Sequence, residues 1–219
     1  MAMSGSSSWP SGFSGGRVLD DLLRGVKDRL LAPVARAIGP RCPPLLITVL
    51  ALLVGLAAVW LAAGGNHGWG LVAWIGNRVL DGLDGALARL HGRATDLGGY
   101  LDLLCDFVVY AGLPFGLALS MPSEDGWRAL ALLLAVFYVN SASWLYLSAL
   151  IERRGRRTAD PEPATSIVMP PGLVAGTETI IFYALFLLWP AMLVPLFLTM
   201  STLVVVGITQ RVIWAVRAL

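Results

Sequence analysis

The chain has 219 residues, of which 57% are hydrophobic and only 14% are charged. A soluble domain is about a quarter charged, so this composition excludes an ordinary water-soluble fold and indicates one domain in a lipid bilayer. The formal net charge of +2 gives no reason to expect a nucleic-acid partner. Two cysteines, Cys42 and Cys105, are too few and too far apart for a disulfide framework.

The first 41 residues divide into two parts. Residues 1–16 are rich in Ser and Gly and lack the basic and apolar blocks of a secretory signal, so a disordered tail is predicted. In residues 17–41 apolar side chains alternate with basic ones at helical spacing, as Leu19, Leu22 and Val26 do with Arg24 and Lys27. This pattern predicts an amphipathic juxtamembrane helix on the membrane surface. The alternative is an ordinary surface helix packed on a core.

Residues 42–219 are predicted to form a six-span domain. A helix needs about 20 mostly apolar residues to cross the hydrocarbon layer. Six stretches meet that requirement: residues 45–63, 69–88, 96–119, 127–151, 172–188 and 191–212. Long apolar runs of this kind indicate helices rather than a barrel. The predicted fold class is therefore an all-α integral membrane protein with six transmembrane helices and an N-terminal cytoplasmic amphipathic juxtamembrane helix.

Basic residues are distributed very unevenly between the two predicted sides. With the N-terminus in the cytoplasm, the outer loops hold only Arg128, Arg78 lies within a span, and the other fourteen of the 16 Lys and Arg residues fall inside. Basic residues accumulate on the cytoplasmic side of membrane proteins. Both termini are therefore predicted to be cytoplasmic.

The second and third predicted spans carry charges that a membrane helix normally avoids: Arg78, Asp81, Asp84, Asp102 and Asp106. A carboxylate costs roughly 2.5–3.5 kcal/mol at the centre of a membrane helix on insertion scales. Residues three or four apart share a helix face, so the first aspartate pair lies on one face and the second pair on another. Such placement needs a functional reason.

Folding the two spans into a hairpin about Arg93 brings the pairs together. Asp84 and Asp102 are each nine residues from Arg93, while Asp81 and Asp106 are twelve and thirteen away. Equal rise per residue places Asp84 at the depth of Asp102 and Asp81 at that of Asp106. Four adjacent carboxylates would repel one another unless cations balance them. Two divalent cations would do so, and oxygen-only ligands favour Mg²⁺, Mn²⁺ or Ca²⁺ over zinc.

The same stretch carries a family signature. Residues 81–106 read D-G-L-D-G-A-L-A-R, eight residues, then G-G-Y-L-D-L-L-C-D. This resembles the signature of the CDP-alcohol phosphotransferases, D-x2-D-G-x2-A-R-x8-G-x3-D-x3-D. Every defined position is present: Asp81, Asp84, Gly85, Ala88, Arg89, Gly98, Asp102 and Asp106.

The resemblance implies a role for each position. Asp81, Asp84, Asp102 and Asp106 would hold two Mg²⁺ or Mn²⁺ ions, and Asp106 would also act as general base on the acceptor hydroxyl. A nucleotide pocket would be formed by Gly85, Ala88, Arg89 and Gly98. Glycine also permits close helix packing in lipid, so packing is the alternative explanation for the glycines.

Four further features outside the signature are candidate contacts for the nucleotide or the acceptor, and three of them have a second interpretation. Asn77 lies one turn before Asp81, where it is a candidate nucleotide contact. Arg78 is either a nucleotide contact or a structural counter-ion for an aspartate. A loop of basic residues could clamp an acceptor phosphate, or could serve topology and anionic lipid binding; these residues are Arg153, Arg154, Arg156 and Arg157. Glu178, inside the fifth span, could contact the acceptor or Arg78.

The resemblance implies transfer of a substituted phosphate group from a CDP-linked donor to an alcohol, with release of CMP, in phospholipid synthesis. Six spans favour CDP-diacylglycerol over donors with soluble head groups, and the acceptor is a small alcohol. A homodimer in contact with membrane lipids is implied, in the inner membrane of a bacterium with the active site facing the cytoplasm. The alternatives are a divalent-cation transporter and a catalytically inactive family member that acts as a lipid-binding scaffold.

Overall fold

The computed structural model describes residues 31–39, 42–158 and 176–218, and this part of the chain is helical with no β-strand. Helix α1 covers residues 31–38. The helices that follow are α2 (Pro44–Ala63), α3 (His67–Leu90), α4 (Asp96–Ser120), α5 (Glu124–Thr158), α6 (Gly176–Leu188) and α7 (Leu193–Ala218). A single 3₁₀ turn, Pro190–Met192, precedes α7. The predicted all-α fold is confirmed.

Four of the described helices are long and apolar enough to cross a membrane unaided, namely α2, α4, α5 and α7. The other two predicted spans correspond to α3 and α6. Helix α3 is long enough, but it carries Arg78, Asp81, Asp84 and Arg89. Helix α6 is described over 13 residues. The count of six spans therefore stays a prediction, because an apolar criterion rejects a helix that concentrates charge.

Helix α2 packs along both α3 and α4, and glycines make the approach close. A Cβ atom on Gly55 would lie 2.5 Å from Cγ2 of Val109 and 2.9 Å from Nδ2 of Asn77. A Cβ atom on Gly116 would lie 2.7 Å from the carbonyl oxygen of Val59. Helices α3 and α4 approach each other less closely than either approaches α2. A cleft therefore runs between α3 and α4, with α2 behind it.

Helices α5 and α7 form a second pair that runs in one direction. Ala129 lies beside Val194 near their starts, and Asn140 meets Arg211 further along. The guanidinium of Arg211 donates to Oδ1 of Asn140 at 3.0 Å and to the hydroxyl of Ser143 at 3.4 Å. Arg211 is one of the basic residues predicted on the cytoplasmic side; it lies within α7, which continues to Ala218, and it is only 5% exposed. Its side of the membrane stays a prediction.

The described end of the predicted juxtamembrane helix packs on the bundle. Leu31, Ala35 and Ile38 lie on one face of α1 and contact a small apolar cluster that includes Leu83 and Leu87 of α3. Arg36 is exposed. Residues 1–30 lie outside the described part of the chain, so the disordered tail and the membrane-surface position of the helix stay predictions.

A proline in α4 leaves one backbone group for another helix to bind. Pro114 lies inside α4 and has no N–H to donate to the carbonyl of Tyr110, four residues earlier. The hydroxyl of Tyr183 in α6 donates to that carbonyl at 2.6 Å instead. The proline thereby provides a specific site at which α6 is attached to α4.

Candidate active site

The aspartates of α3 and α4 face one another across the cleft. Asp81 lies on the same side of α3 as Arg78, and its carboxylate is close enough to that of Asp106 in α4 for the two to interact directly. Asp102, one turn from Asp106, lies within the electrostatic field of Asp84, Asp81 and Asp106. The four aspartates therefore line the two sides of one cleft.

Asp84 is buried and takes its partner from α2. The hydroxyl of Thr48 donates to Oδ2 of Asp84 at 2.7 Å, and both residues are buried. A charged acceptor makes this one of the stronger hydrogen bonds in the molecule. It fixes one oxygen of Asp84 and leaves the other for a ligand.

Arg78 supplies the positive charge inside the cleft. Its Nη2 is 2.7 Å from Oδ1 of Asp106, and its Nη1 is 3.9 Å from Oδ2 of Asp81. The side chain is only 8% exposed. The counter-ion interpretation of Arg78 is therefore confirmed. The arginine links the two helices through charge where their backbones stay apart.

Aromatic residues from three helices surround this arginine. The guanidinium carbon of Arg78 lies 4.7 Å from the ring centre of Trp74 and 5.0 Å from that of Tyr110. Trp74 stacks on Tyr183 with ring centres 5.2 Å apart, and Tyr110 meets Tyr183 edge to face at 5.3 Å. Cation–π contacts of this kind strengthen when water is excluded. The charge is thus held in a fixed position.

The donor set suits hard divalent cations, although the aspartates do not close around one point. Within residues 31–39, 42–158 and 176–218, no three His, Cys, Asp or Glu side chains lie close enough to share one ion. Asp84 is turned to Thr48 and Asp106 to Arg78. All four predicted ligands are carboxylates, the type that Mg²⁺ and Mn²⁺ prefer. The donor type therefore suits a metal of this class, while the arrangement shown has Arg78, not a metal ion, between Asp81 and Asp106.

The predicted nucleotide residues are only partly grouped. Gly85 and Arg89 lie together, since a Cβ atom on Gly85 would be 3.1 Å from Nη1 of Arg89, which is exposed. Ala88 is half-buried on the same helix. Gly98 lies at the start of α4, where its N–H donates to the hydroxyl of Thr95. A Cβ atom there would approach that hydroxyl to 3.0 Å.

Asn77 is buried inside the helical bundle and both ends of its side-chain amide are hydrogen-bonded to other residues. It is 2% exposed, its Nδ2 donates to the carbonyl of Ala51 at 2.7 Å, and its Oδ1 accepts from Nε of Arg78 at 2.8 Å. Both ends of its amide are engaged inside the bundle. This burial gives no support to the predicted nucleotide contact, and Asn77 serves to connect α2 to Arg78.

The residues predicted to bind an acceptor lie at the ends of α5 and α6. Helix α5 runs past the predicted end of its span to Thr158, so Arg153 and Arg154 lie on an exposed helical end. The side chains of Arg156 and Arg157 lie outside the described residues. Glu178 is half-buried in the first turn of α6. Nε1 of Trp74 donates to the carbonyl of Ile180 at 3.4 Å, which places the start of α6 beside α3 near Arg78.

An apolar cavity of about 330 Å³ leads to the same arginine. It opens on the surface between α1, α3 and α6, and Arg78 is the one charged residue among those that line it. Its walls are formed by Leu31, Trp74, Ile75, Val79, Ile180 and Ala184.

Comparison with known proteins places this cleft in a family. The family model described as CDP-alcohol phosphatidyltransferase matches residues 42–217. The chain belongs to the CDP-alcohol phosphatidyltransferase family. The matched region contains α2 through most of α7, together with all eight positions of the signature.

The chain is similar to several known proteins. The inner membrane protein YnjF of Escherichia coli is 38% identical over 150 residues, which cover 66% of this chain and 69% of YnjF. The phosphatidylinositol phosphate synthase of Mycobacteroides abscessus is 34% identical over 109 residues, covering 47% of this chain and 46% of that protein. The crystal structure of the Mycobacterium tuberculosis phosphatidylinositol phosphate synthase with CDP-DAG bound aligns with a TM-score of 0.64 at 23% identity. That alignment covers 84% of this chain and 92% of the other, and it shows a shared fold.

Two residues outside the signature of this CDP-alcohol phosphatidyltransferase family member escaped the sequence analysis. Thr48 lies within an apolar run of α2, where a threonine commonly bonds to its own helix and attracts no notice. Tyr110 is one turn beyond Asp106, and that spacing was the one available signal that it shares the face of the acidic pair. Its hydroxyl accepts a hydrogen bond from Nη1 of Arg78 at 2.8 Å.

Proposed function

We propose that this protein transfers a phosphatidyl group from CDP-diacylglycerol to the hydroxyl of a small alcohol, releases CMP, and depends on Mg²⁺ or Mn²⁺. The observation that carries the proposal is the cleft itself. It joins Asp81 and Asp84 of α3 to Asp102 and Asp106 of α4, at the spacing of the family signature. Buried acidic clusters are costly in a membrane, and this reaction gives them a use.

A lipid donor is supported by the cavity that ends at Arg78. An apolar groove open to the bilayer suits an acyl chain, and the cleft beside it suits the diphosphate. The phosphatidylinositol phosphate synthase of similar fold has CDP-DAG bound. A donor of this kind would enter sideways from the membrane, with its nucleotide near Gly85, Ala88, Arg89 and Gly98 at the cytoplasmic end.

The chemistry needs few protein groups. Divalent ions bound in the cleft would supply positive charge to the diphosphate. Asp81, Asp84 and Asp102 would hold them, with Asp84 oriented by Thr48. Asp106 would take the proton of the acceptor hydroxyl as the alcohol oxygen attacks the β-phosphorus. The bond from that phosphorus to the CMP oxygen then breaks, and CMP departs.

The remaining features of the proposal concern placement and acceptor. Six spans, cytoplasmic termini, a bacterial inner membrane and a homodimer follow from loop charge and from the family. An inner membrane protein among the relatives supports that location. The arginines that end α5, together with Glu178, are the candidates for choosing the acceptor, because they lie at the cytoplasmic end of the bundle.

The test is CMP release by purified full-length protein from CDP-diacylglycerol with Mg²⁺, using glycerol phosphate, inositol phosphate and serine as separate acceptors. We expect one acceptor to support turnover. Asp106→Asn should lower turnover by at least about 10²-fold, within the usual range for a general base. Asp125→Asn, at an exposed aspartate in the first turn of α5, is the matched control and should leave turnover unchanged.

The same preparation separates the two alternative functions. A divalent-cation transporter should move Mn²⁺ into proteoliposomes without nucleotide and should show no thermal stabilisation by CMP. An inactive scaffold should turn over no donor with any acceptor, in wild type as in Asp106→Asn. Full turnover by Asp106→Asn would contradict the proposed role of that residue.

A further inference from the structure

A groove lies between the first turns of α5 and the first turns of α7, at the end of the bundle opposite the α3–α4 turn. It encloses about 400 Å³, a volume typical of ligand sites in proteins. The proposed reaction does not use this groove, because the acidic cleft lies between α3 and α4. Six residues line it: Asp125, Arg128, Ala129, Leu132, Val194 and Leu198.

The groove changes from charged to apolar along its length. Its two charged residues, Asp125 and Arg128, lie in the first two turns of α5. Leu132 and Leu198 lie further along their helices and are 46% and 42% exposed. Since α5 and α7 run in one direction, the apolar wall extends from the charged end toward the middle of the bundle. A phospholipid has the same order, a charged head group followed by an acyl chain.

The charged end of the groove combines one cation with two anions. The guanidinium of Arg128 pairs with Glu124, and its Nη1 lies 3.5 Å from Oδ1 of Asp125. All three side chains are exposed, and exposed ion pairs are weak enough for a ligand to rearrange. A guanidinium binds a phosphate through two parallel hydrogen bonds. The two carboxylates attract an ammonium group and repel a second negative charge.

Two tryptophans mark the level of this charged end relative to a bilayer. Trp127 is next to Arg128 on α5, and Trp189 immediately precedes the 3₁₀ turn that leads into α7. They are 37% and 57% exposed. Tryptophan is enriched at the boundary between hydrocarbon and water, and the predicted spans 127–151 and 191–212 begin at the same level. The charged end of the groove is therefore at the depth of the lipid head groups.

We propose that this groove binds one phospholipid whose head group carries a primary ammonium, as in phosphatidylethanolamine. The lipid phosphate contacts Arg128, the ammonium contacts Glu124 and Asp125, and one acyl chain lies along Leu132 and Leu198. The bound lipid bridges α5 and α7 and stabilises this pair of helices. A net anionic lipid such as phosphatidylglycerol binds less well, because the two carboxylates repel its charge. The site is separate from the acidic cleft, and the proposal does not depend on the proposed reaction.

The experiment is thermal unfolding of the full-length protein in detergent, with dioleoyl phosphatidylethanolamine or dioleoyl phosphatidylglycerol added at equal mole fraction. Phosphatidylethanolamine should raise the unfolding temperature of wild type by about 2–4 °C, and phosphatidylglycerol by less than half as much. Arg128→Gln should lose the response to phosphatidylethanolamine. Arg217→Gln, at an exposed arginine near the other end of α7, is the matched control and should keep it. In the double variant Glu124→Gln with Asp125→Asn, the two lipids should act equally.

A second variant tests the apolar part of the groove. Leu132→Trp fills the groove and should abolish the response to phosphatidylethanolamine, measured against the same variant without added lipid. Leu119→Trp, at a leucine of α4 that is 47% exposed, is the matched control and should respond as wild type does. Equal stabilisation of wild type by the two lipids, no stabilisation by phosphatidylethanolamine, or a full response in Leu132→Trp would each overturn the proposal.

Discussion

Thr48 orients a carboxylate of the acidic cleft from a helix that contributes no acid to that cleft. Its hydroxyl is 2.7 Å from Oδ2 of Asp84, and neither residue is open to water. A buried carboxylate that loses its donor keeps its desolvation penalty without compensation. The position of Asp84 therefore depends on a neutral residue 36 positions earlier in the chain.

Replacing this threonine should affect both stability and turnover. Thr48→Val keeps the shape and removes the hydroxyl, so we expect a loss of about 1–3 kcal/mol in stability. A lost supporting partner of a metal ligand lowers activity by roughly 10–100-fold. Thermal unfolding in detergent and CMP release would measure the two effects.

Thr202→Val is the matched control for that change. The hydroxyl of Thr202 bonds only to the carbonyl of Leu198 in its own helix and is exposed on α7. Both measurements should be nearly unchanged in this variant. If Thr48→Val and Thr202→Val have the same unfolding temperature and the same rate of CMP release, the hydrogen bond to Asp84 contributes to neither stability nor turnover.

Local spacing was enough to predict the acids but not their partners. Asp81, Asp84, Asp102 and Asp106 follow from three- and four-residue spacing on two helices joined by a short turn. The bonds from Thr48 to Asp84 and from Arg78 to Tyr110 link residues more than 30 positions apart. Such pairs depend on how the helices pack, which periodicity does not specify.

At the scale of helices, Pro114 of α4 and Tyr183 of α6 together create one specific contact between their helices. The proline removes the donor that the carbonyl of Tyr110 would have within α4, and the tyrosine of α6 replaces it. A helix break thereby becomes a joint between two helices. The joint also fixes Tyr110, whose hydroxyl binds Arg78.

This joint can be tested by a double-mutant cycle. Tyr183→Phe should destabilise the protein by about 1–3 kcal/mol, since it leaves a buried carbonyl without a donor. In a Pro114→Ala background the helix supplies its own N–H, so the same change should cost less. Tyr138→Phe, at a tyrosine 77% exposed on α5, is the control. Equal costs of Tyr183→Phe in the two backgrounds would refute the coupling.

Alanine substitutions at two glycines allow close helix–helix packing to be compared with ordinary van der Waals contact. In Gly116→Ala the new Cβ would lie 2.7 Å from the backbone oxygen of Val59, which cannot move without shifting α2. In Gly76→Ala the nearest atom is Cγ1 of Val54 at an ordinary 3.6 Å. We expect Gly116→Ala to lose about 1–3 kcal/mol and Gly76→Ala to lose nothing.

Thermal unfolding of the two glycine variants in the same detergent provides the comparison. Both changes add one methyl group inside a helix, so the difference in helix propensity between Gly and Ala is the same in both. If both variants unfold at the wild-type temperature, α2 and α4 are less tightly packed than the structure places them.

For the whole molecule, the distribution of basic residues predicts the orientation in the membrane. Asn66, between α2 and α3, and Arg93, between α3 and α4, are both exposed and lie at opposite ends of the bundle. Positive charge gathers on the cytoplasmic side. The α3–α4 turn should therefore lie inside the cell and the α2–α3 turn outside.

Cysteine labelling of intact cells tests this orientation. In a background without Cys42 and Cys105, Asn66→Cys should react with a membrane-impermeant maleimide added outside. Arg93→Cys should react only after the cells are made permeable. The reverse pattern would place the acidic cleft on the outer side and contradict a donor supplied from the cytoplasm.

Hydropathy predicted the order of the helices better than their ends or their number of spans. Predicted spans 45–63 and 96–119 agree with α2 and α4 to within a residue. Helix α5 continues to Thr158 and α7 to Ala218, past the ends of the predicted spans 127–151 and 191–212. The charges of α3 are tolerated because residues across the cleft pair with them. A hydropathy value summed over one segment does not include those partners.

The central position of α2 has a consequence for how sequence changes in this protein should be interpreted. Thr48, Ala51 and Gly55 recur at helical spacing on one face of α2, and they serve Asp84, Asn77 and Val109 in turn. A saturation scan would therefore show a stripe of intolerance on a helix that the signature leaves unmarked. Substitutions along that stripe would resemble active-site lesions although none of its residues belongs to the signature.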